Sequence, residues 1–174
     1  RGYAALAGLE RQCHQAHFQE PRTKGWLFDT LVTPALMYLV VVWAPRLGAS
    51  TWVQVEIPHI LMLSRMIRSK PLVPHDIVWA EFATPPMVVE ALFQTISFIY
   101  RMREMPMERL SRRAFEASKQ LAEIGHTTSW YAQMLQWLSH HRIDIERLPL
   151  SQYDQSAPRG HLSLTKGMGT ERAI

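Results

Sequence analysis

The sequence predicts an all-α fold: a single-domain array of six or seven helices with a buried central helix. Three observations predict it. Apolar residues recur at helical spacing in one stretch after another. Ser, Thr, Pro and Gly, the residues that cap, start or stop helices, fall between those stretches. The most apolar segment, Leu27–Trp43, carries a single charge, Asp29. The chain of 174 residues is 47% hydrophobic, and its six Trp, five Tyr and six Phe supply a core for one domain of ordinary size.

In order, residues 5–17 read as a helix with Leu6, Leu9, Cys13 and Ala16 on one face. Pro21 opens the next helix. The spacing predicts that this central helix spans residues 22–44, with Pro34 kinking it or ending its first half near Thr33. Val40-Val41-Val42 also suits a buried strand; length and the helical flanks favour helix. A membrane span needs about 20 mostly apolar residues. Arg22 and Lys24 before this run and Arg46 after it return both ends to water. Pro45–Ser50 is a turn, and Ser50 or Thr51 caps a helix reaching about Ser69. Pro58 either kinks that helix or marks where it becomes regular.

A short helix follows at His75–Phe82, and Thr84-Pro85-Pro86 stops it. Residues 87–102 carry a stripe of Val88, Val89, Leu92, Phe93, Ile96, Ile99 and Tyr100. Residues 107–124 form a helix with Leu110, Ala114, Phe115, Ala117 and Leu121 expected to face inward, ended by Gly125. Thr128 or Ser129 caps a last helix at 130–142, whose apolar face is Trp130, Met134, Leu135, Trp137 and Leu138. The helical domain is thus read as residues 3–148, and 149–174 as a polar, disordered tail rich in Gly, Pro and Ser.

The chemistry is sparse. Cys13, the single cysteine, fits a reducing compartment, and the chain opens with no apolar leader, so secretion is not expected. Cys13, His14 and His17 are the one compact metal-capable set; zinc typically takes four ligands, so a packed Cys13 beside exposed histidines is the simpler reading. Asp29, Asp76, Glu81 and Glu90 have no spacing suited to metal or acid–base work, and no phosphate loop or nucleophile elbow is present. No catalytic residue, metal or cofactor is therefore expected.

Basic residues gather better. Arg65, Arg68 and Lys70 form one cluster, and Arg101, Arg103, Arg109, Arg112, Arg113 and Lys119 another, within a net charge of +4. Arg109, Arg112 and Arg113 fall within about one helical turn. Such groups bind nucleic-acid backbone without reading its sequence. The plainer alternative is a solvated face laced with Glu104, Glu108, Glu116 and Glu123. The residues expected to touch phosphate are Arg65, Arg68, Lys70, Arg109, Arg112 and Arg113.

Four passages resemble the region downstream of the polymerase core in non-LTR (LINE-type) retrotransposon reverse transcriptases. Leu9–Cys13 followed by Lys24–Pro34 resembles the start of that region. Met37–Trp43 is similar to its Tyr-Gly-x-Glu-x-Trp signature. Leu61–Lys70 with Pro74 resembles its next basic helix, and Ala80–Pro86 its Glu-Leu-Gly-x-x-Pro element. Ile96–Tyr100 with Arg101 and Arg103 continues the likeness, which covers residues 3 to about 148. The chain departs from the pattern at Leu39 and Ala83, where the family has Gly, and at Val41, where it has Glu. The family's catalytic aspartates belong to an upstream palm absent from this chain, and its downstream Cys/His knuckle is absent too.

The resemblance implies a non-catalytic accessory module of an RNA-directed DNA polymerase. It would hold template RNA or target DNA beside the core, in the nucleus or cytoplasm and away from membranes, with no activity of its own. The alternative is a helical scaffold or protein-interaction domain, a repurposed relic of such an element.

Overall fold

The computed structural model describes residues 2–18, 20–67 and 73–145. Among them the chain is all-α, with eight helices and no strand. These are α1 Gly2–Gln15, α2 Pro21–Leu36, α3 Val40–Arg46, α4 Ala49–Met66, α5 His75–Phe82, α6 Met87–Glu104, α7 Leu110–Glu123 and α8 Trp130–His140. The expected tail, 149–174, and the end of the expected domain, 146–148, lie outside the described residues.

The count exceeds six or seven because the expected central helix is two. α2 absorbs Pro34 without breaking: its backbone widens to a π-turn over Phe28–Val32, where the Thr33 N–H reaches the Phe28 carbonyl. Proline has no N–H to give and crowds the carbonyl four residues back, and a wider turn relieves both. The break falls later, at Met37–Leu39, where Leu39 takes a left-handed conformation, φ 54°. The Trp43 indole N–H closes this corner on the Tyr38 carbonyl at 2.7 Å. The segment is also less buried than its composition suggests. Phe28, Val32, Met37, Val40 and Ala44 enter the core, whereas Leu31, Tyr38, Leu39 and Val42 are exposed. It is an amphipathic pair with one face inward, not a buried central helix.

α3 and its 3-10 end pack on α6 and α8. Three tryptophans tie this region together. Trp52 of α4 lies between Trp43, at 5.8 Å, and Trp137 of α8, stacked at 5.9 Å with the planes 4° apart. The Trp130 indole N–H donates to the Val41 carbonyl at 2.9 Å. α4 begins after Gly48 with no side-chain cap, contrary to the expectation for Ser50 or Thr51, and runs through a buried Pro58. At α8 the expected cap forms: the Ser129 hydroxyl accepts from the Ala132 N–H at 3.2 Å.

A second polar joint lies between α2, α4 and α6. Glu56 accepts from the first N–H of α6, that of Met87, at 2.7 Å. Its other carboxylate oxygen is 2.9 Å from Nδ1 of buried His59, whose ring stacks on Phe28 at 5.6 Å. Pro86 precedes α6 and has no side chain able to cap it, so Glu56 does this from another helix.

α7 corrects another expectation. Only Phe115 of its five expected inward residues is buried; Leu110, Ala114, Ala117 and Leu121 are exposed. α6 and α8 cover the sector of Phe115, Ser118 and Ala122, where the Ser118 hydroxyl accepts the Tyr131 N–H at 3.1 Å. The remaining apolar positions lie about a third of a turn further round. α7 ends as expected at Gly125, φ 98°, with the His126 and Gly125 N–H groups bonded back to Leu121 and Ala122.

No single helix among the described residues is long and apolar enough to cross a membrane. The bent pairs α2–α3 and α5–α6 reach that length and composition only when taken together.

Candidate nucleic-acid interface

Of the six basic residues expected to touch phosphate, four lie among the described residues, and the fold holds them differently. Arg68 and Lys70 lie outside the described residues. Arg65, near the end of α4, forms an ion pair with Glu10 of α1. α4 packs on α1, α2, α5 and α6, and α7 on α6 and α8, so Arg65 and the α7 arginines sit on helices with different packing neighbours.

Arg112 is held within the fold. Its guanidinium pairs with Glu116 at 2.6 Å, donates to the Met102 carbonyl near the end of α6, and lies 5.8 Å from the Phe115 ring centroid. It ties α7 to the C-terminal turn of α6, which leaves little of it for a ligand.

Arg109 and Arg113 remain. Arg109 is the N-cap residue of α7, and Arg113 is in its second turn, with its N–H bonded to the Arg109 carbonyl. Both side chains are exposed, and among the described residues neither has an ion-pair partner. Arg101 is exposed on the last turn of neighbouring α6, where a cation complements the helix dipole. The start of α7 is the opposite case. A helix N-terminus is the positive end and favours acidic side chains. Here its first turn has no acidic residue, no side-chain cap and a cation at the N-cap. Among the described residues, no acidic side chain caps this turn or pairs with either guanidinium group. A phosphate or carboxylate from outside would satisfy the turn and both groups.

Arg103 belongs elsewhere: with Tyr131, Leu135, Ser139, Arg142 and Asp144 it lines a shallow concavity of about 470 Å³. No group of three or more His, Cys, Asp or Glu able to hold a metal gathers among the described residues. Cys13 is buried, and His14 and His17 are exposed. Asp29, Asp76 and Glu81 are exposed, and Glu90 accepts from Gln94 at 2.8 Å. The Glu56–His59 pair went unnoticed in the sequence, although its i, i+3 spacing in an apolar helix was the available signal. Both Glu56 oxygens are engaged within the fold, which makes the pair a structural joint. His141, capping the C-terminus of α8, has its pKa lowered from 6.5 by burial and by neighbouring His140.

No protein-family profile, curated protein or solved structure matches the chain.

Proposed function

We propose that this chain is a non-catalytic helical module of the kind that follows the polymerase core in LINE-type reverse transcriptases. On this reading it steadies template RNA or target DNA against that core. One observation carries the parentage. The two positions where the resembled motifs have Gly, Leu39 and Ala83, both adopt left-handed backbone, φ 54° and 49°. Left-handed backbone costs a residue with a Cβ energy that glycine does not pay. Each element therefore keeps the turn its motif glycine would serve after the glycine itself is gone. The Trp of the first signature has a matching role here, since Trp43 pins that turn through the Tyr38 carbonyl. The Glu position, now Val41, contributes a backbone carbonyl to Trp130, a bond indifferent to the side chain.

Nucleic-acid contact rests on Arg109 and Arg113 at the positive end of α7, with Arg101 nearby. These groups suit a phosphate backbone, and contacts of that kind position a nucleic acid without reading its sequence. The test is binding of the full chain to mixed-sequence RNA and duplex DNA at low salt. Replacing Arg109 and Arg113 together with Gln is expected to weaken binding several-fold and leave stability unchanged. Arg112→Gln is expected to do the reverse, loosening the α6–α7 joint. Undetectable binding at low salt would remove the nucleic-acid role.

A second reading, a scaffold or protein-interaction domain, is favoured by the apolar side chains left outside, Trp26, Leu31, Tyr38 and Leu39 on the α2–α3 segment among them. A partner polymerase core would cover the same surface, so exposure there fits either reading.

A further inference from the structure

Where α8 ends, the backbone takes a conformation that its residue disfavours. The Ile143 N–H bonds to the Leu138 carbonyl at 3.0 Å, and the Arg142 N–H to the Ser139 carbonyl at 2.9 Å. The same turn ends α7, where the left-handed residue is Gly125, φ 98°. After α8 the left-handed residue is Arg142, φ 59°. Glycine holds that position without steric cost, and arginine does not. Backbone held against its preference clusters where side chains bind or react. Here the turn brings Arg142 into the lining of the concavity of about 470 Å³.

That lining is drawn from two helices. Tyr131, Leu135 and Ser139 follow one another at four-residue spacing, so they share one face of α8. Arg103 comes from the last turn of α6. Tyr131 is only 8% exposed, and its ring meets that of Phe115 edge-on, with centroids 5.5 Å apart. Among the described residues its hydroxyl has no hydrogen-bond partner, yet it is not sealed inside the fold. It therefore opens to the concavity that the residue lines. Neither Arg103 nor Arg142 has an ion-pair partner among the described residues. Asp144, the one carboxylate among the described lining residues, already has an interaction within the chain.

We propose that this concavity binds a small organic phosphate monoester, with the phosphate on Arg103, Arg142 and the Tyr131 hydroxyl and an apolar body against Leu135 and Ile143. A phosphate suits the lining better than a carboxylate. Two guanidinium groups and the hydroxyls of Tyr131 and Ser139 offer donors from α6 and from α8 with its following turn. Phosphate has three outer oxygens to meet them, and a carboxylate has two. The volume lies within the ~300–1,000 Å³ of small-molecule sites, and the shallow form predicts weak binding. The site includes neither Arg109 nor Arg113, so it does not rest on the nucleic-acid reading.

The experiment is a titration of the full chain with phenyl phosphate, followed by NMR chemical shifts of the backbone amides. The expected result is saturable binding with a Kd on the order of 1 mM and shifts centred on Arg103, Ser139, Arg142 and Ile143. Inorganic phosphate lacks the apolar body and benzoate lacks the third oxygen, and each is expected to bind several-fold more weakly. Tyr131→Phe removes only the hydroxyl and is expected to weaken phenyl phosphate by about 3-fold, and Arg142→Gln by about 10-fold. Arg142→Gly separates binding from structure. It is expected to weaken binding as Arg142→Gln does while raising the thermal midpoint, because glycine accepts the left-handed turn. No saturable binding, or binding unchanged by both Tyr131→Phe and Arg142→Gln, overturns the proposal. So does inorganic phosphate binding as tightly as phenyl phosphate, which would leave an adventitious ion only. Shifts centred on Arg109 and Arg113, and lost when both become Gln, would place the phosphate at the start of α7. That result overturns this site and leaves the functional reading standing. Binding that survives those two replacements supports this site whatever the outcome with nucleic acid.

Discussion

Two residues carry more of the account than their chemistry suggests. Leu39 and Ala83 hold left-handed backbone with side chains that disfavour it, and Leu39 is 58% exposed, so it gains little packing in return. Leu39→Gly and Ala83→Gly are each expected to stabilise the chain by about 0.5–1 kcal/mol, the relief of strain less the entropy glycine brings to the unfolded state. Urea unfolding checks this; a loss of stability at both positions would mean that the turns are not left-handed. His141 provides a test in pH. Its pKa in the fold lies below 6.5, so the unfolded chain binds the proton more readily. The stability this group contributes is complete above the unfolded value and is lost as pH falls from there toward the folded one. Between about pH 7.5 and 5.5 the thermal midpoint is expected to fall less in His141→Gln than in the unsubstituted chain. An equal fall in both would show that His141 is not the group concerned. Of these two sites, the sequence exposed only the first, and through the missing glycines. The i, i+4 spacing of Trp137 and His141 marks their contact, but tertiary packing decides how far the ring is buried.

At the scale of elements, Glu56 is the most consequential joint. It caps α6 from α4 and holds His59 beneath Phe28. Glu56→Ala leaves the Met87 N–H and the His59 ring without their acceptor, a cost of about 2 kcal/mol. For a chain of this size that corresponds to a thermal midpoint lower by roughly 4–8 °C. Differential scanning calorimetry measures it, and a change under 1 °C would remove Glu56 from the joint. The existence of every helix but the separate α3 was legible because periodicity and caps are local: Ser129 caps α8 and Gly125 ends α7 where the sequence places them. Two features were not local. Pro34 was absorbed by a π-turn, and the break moved to Leu39. On α7, periodicity identified an apolar face wider than α6 and α8 can cover, and only tertiary packing decides which part of it remains outside.

For the whole molecule, the all-α class followed from pattern alone, while the candidate site did not. Six basic residues looked equivalent in the sequence. The fold pairs Arg65 with Glu10, engages Arg112 with Glu116 and Met102, and among the described residues leaves Arg109 and Arg113 without an ion-pair partner where α7 begins. A long-range ion pair such as Arg65–Glu10 leaves no trace in local spacing. The module reading thus rests on the two left-handed turns and on a positive helix end with no acidic cap among the described residues. The salt dependence of nucleic-acid binding tests it most directly. The full chain is expected to bind mixed-sequence duplex DNA weakly at low salt, with log K falling linearly against log salt concentration. The slope should be about −0.9 for each phosphate neutralised. Replacing Arg109 and then Arg113 with Gln should flatten that slope by about 1 at each step, uniformly across sequences. No binding at low salt, or a slope that neither replacement alters, would contradict the account.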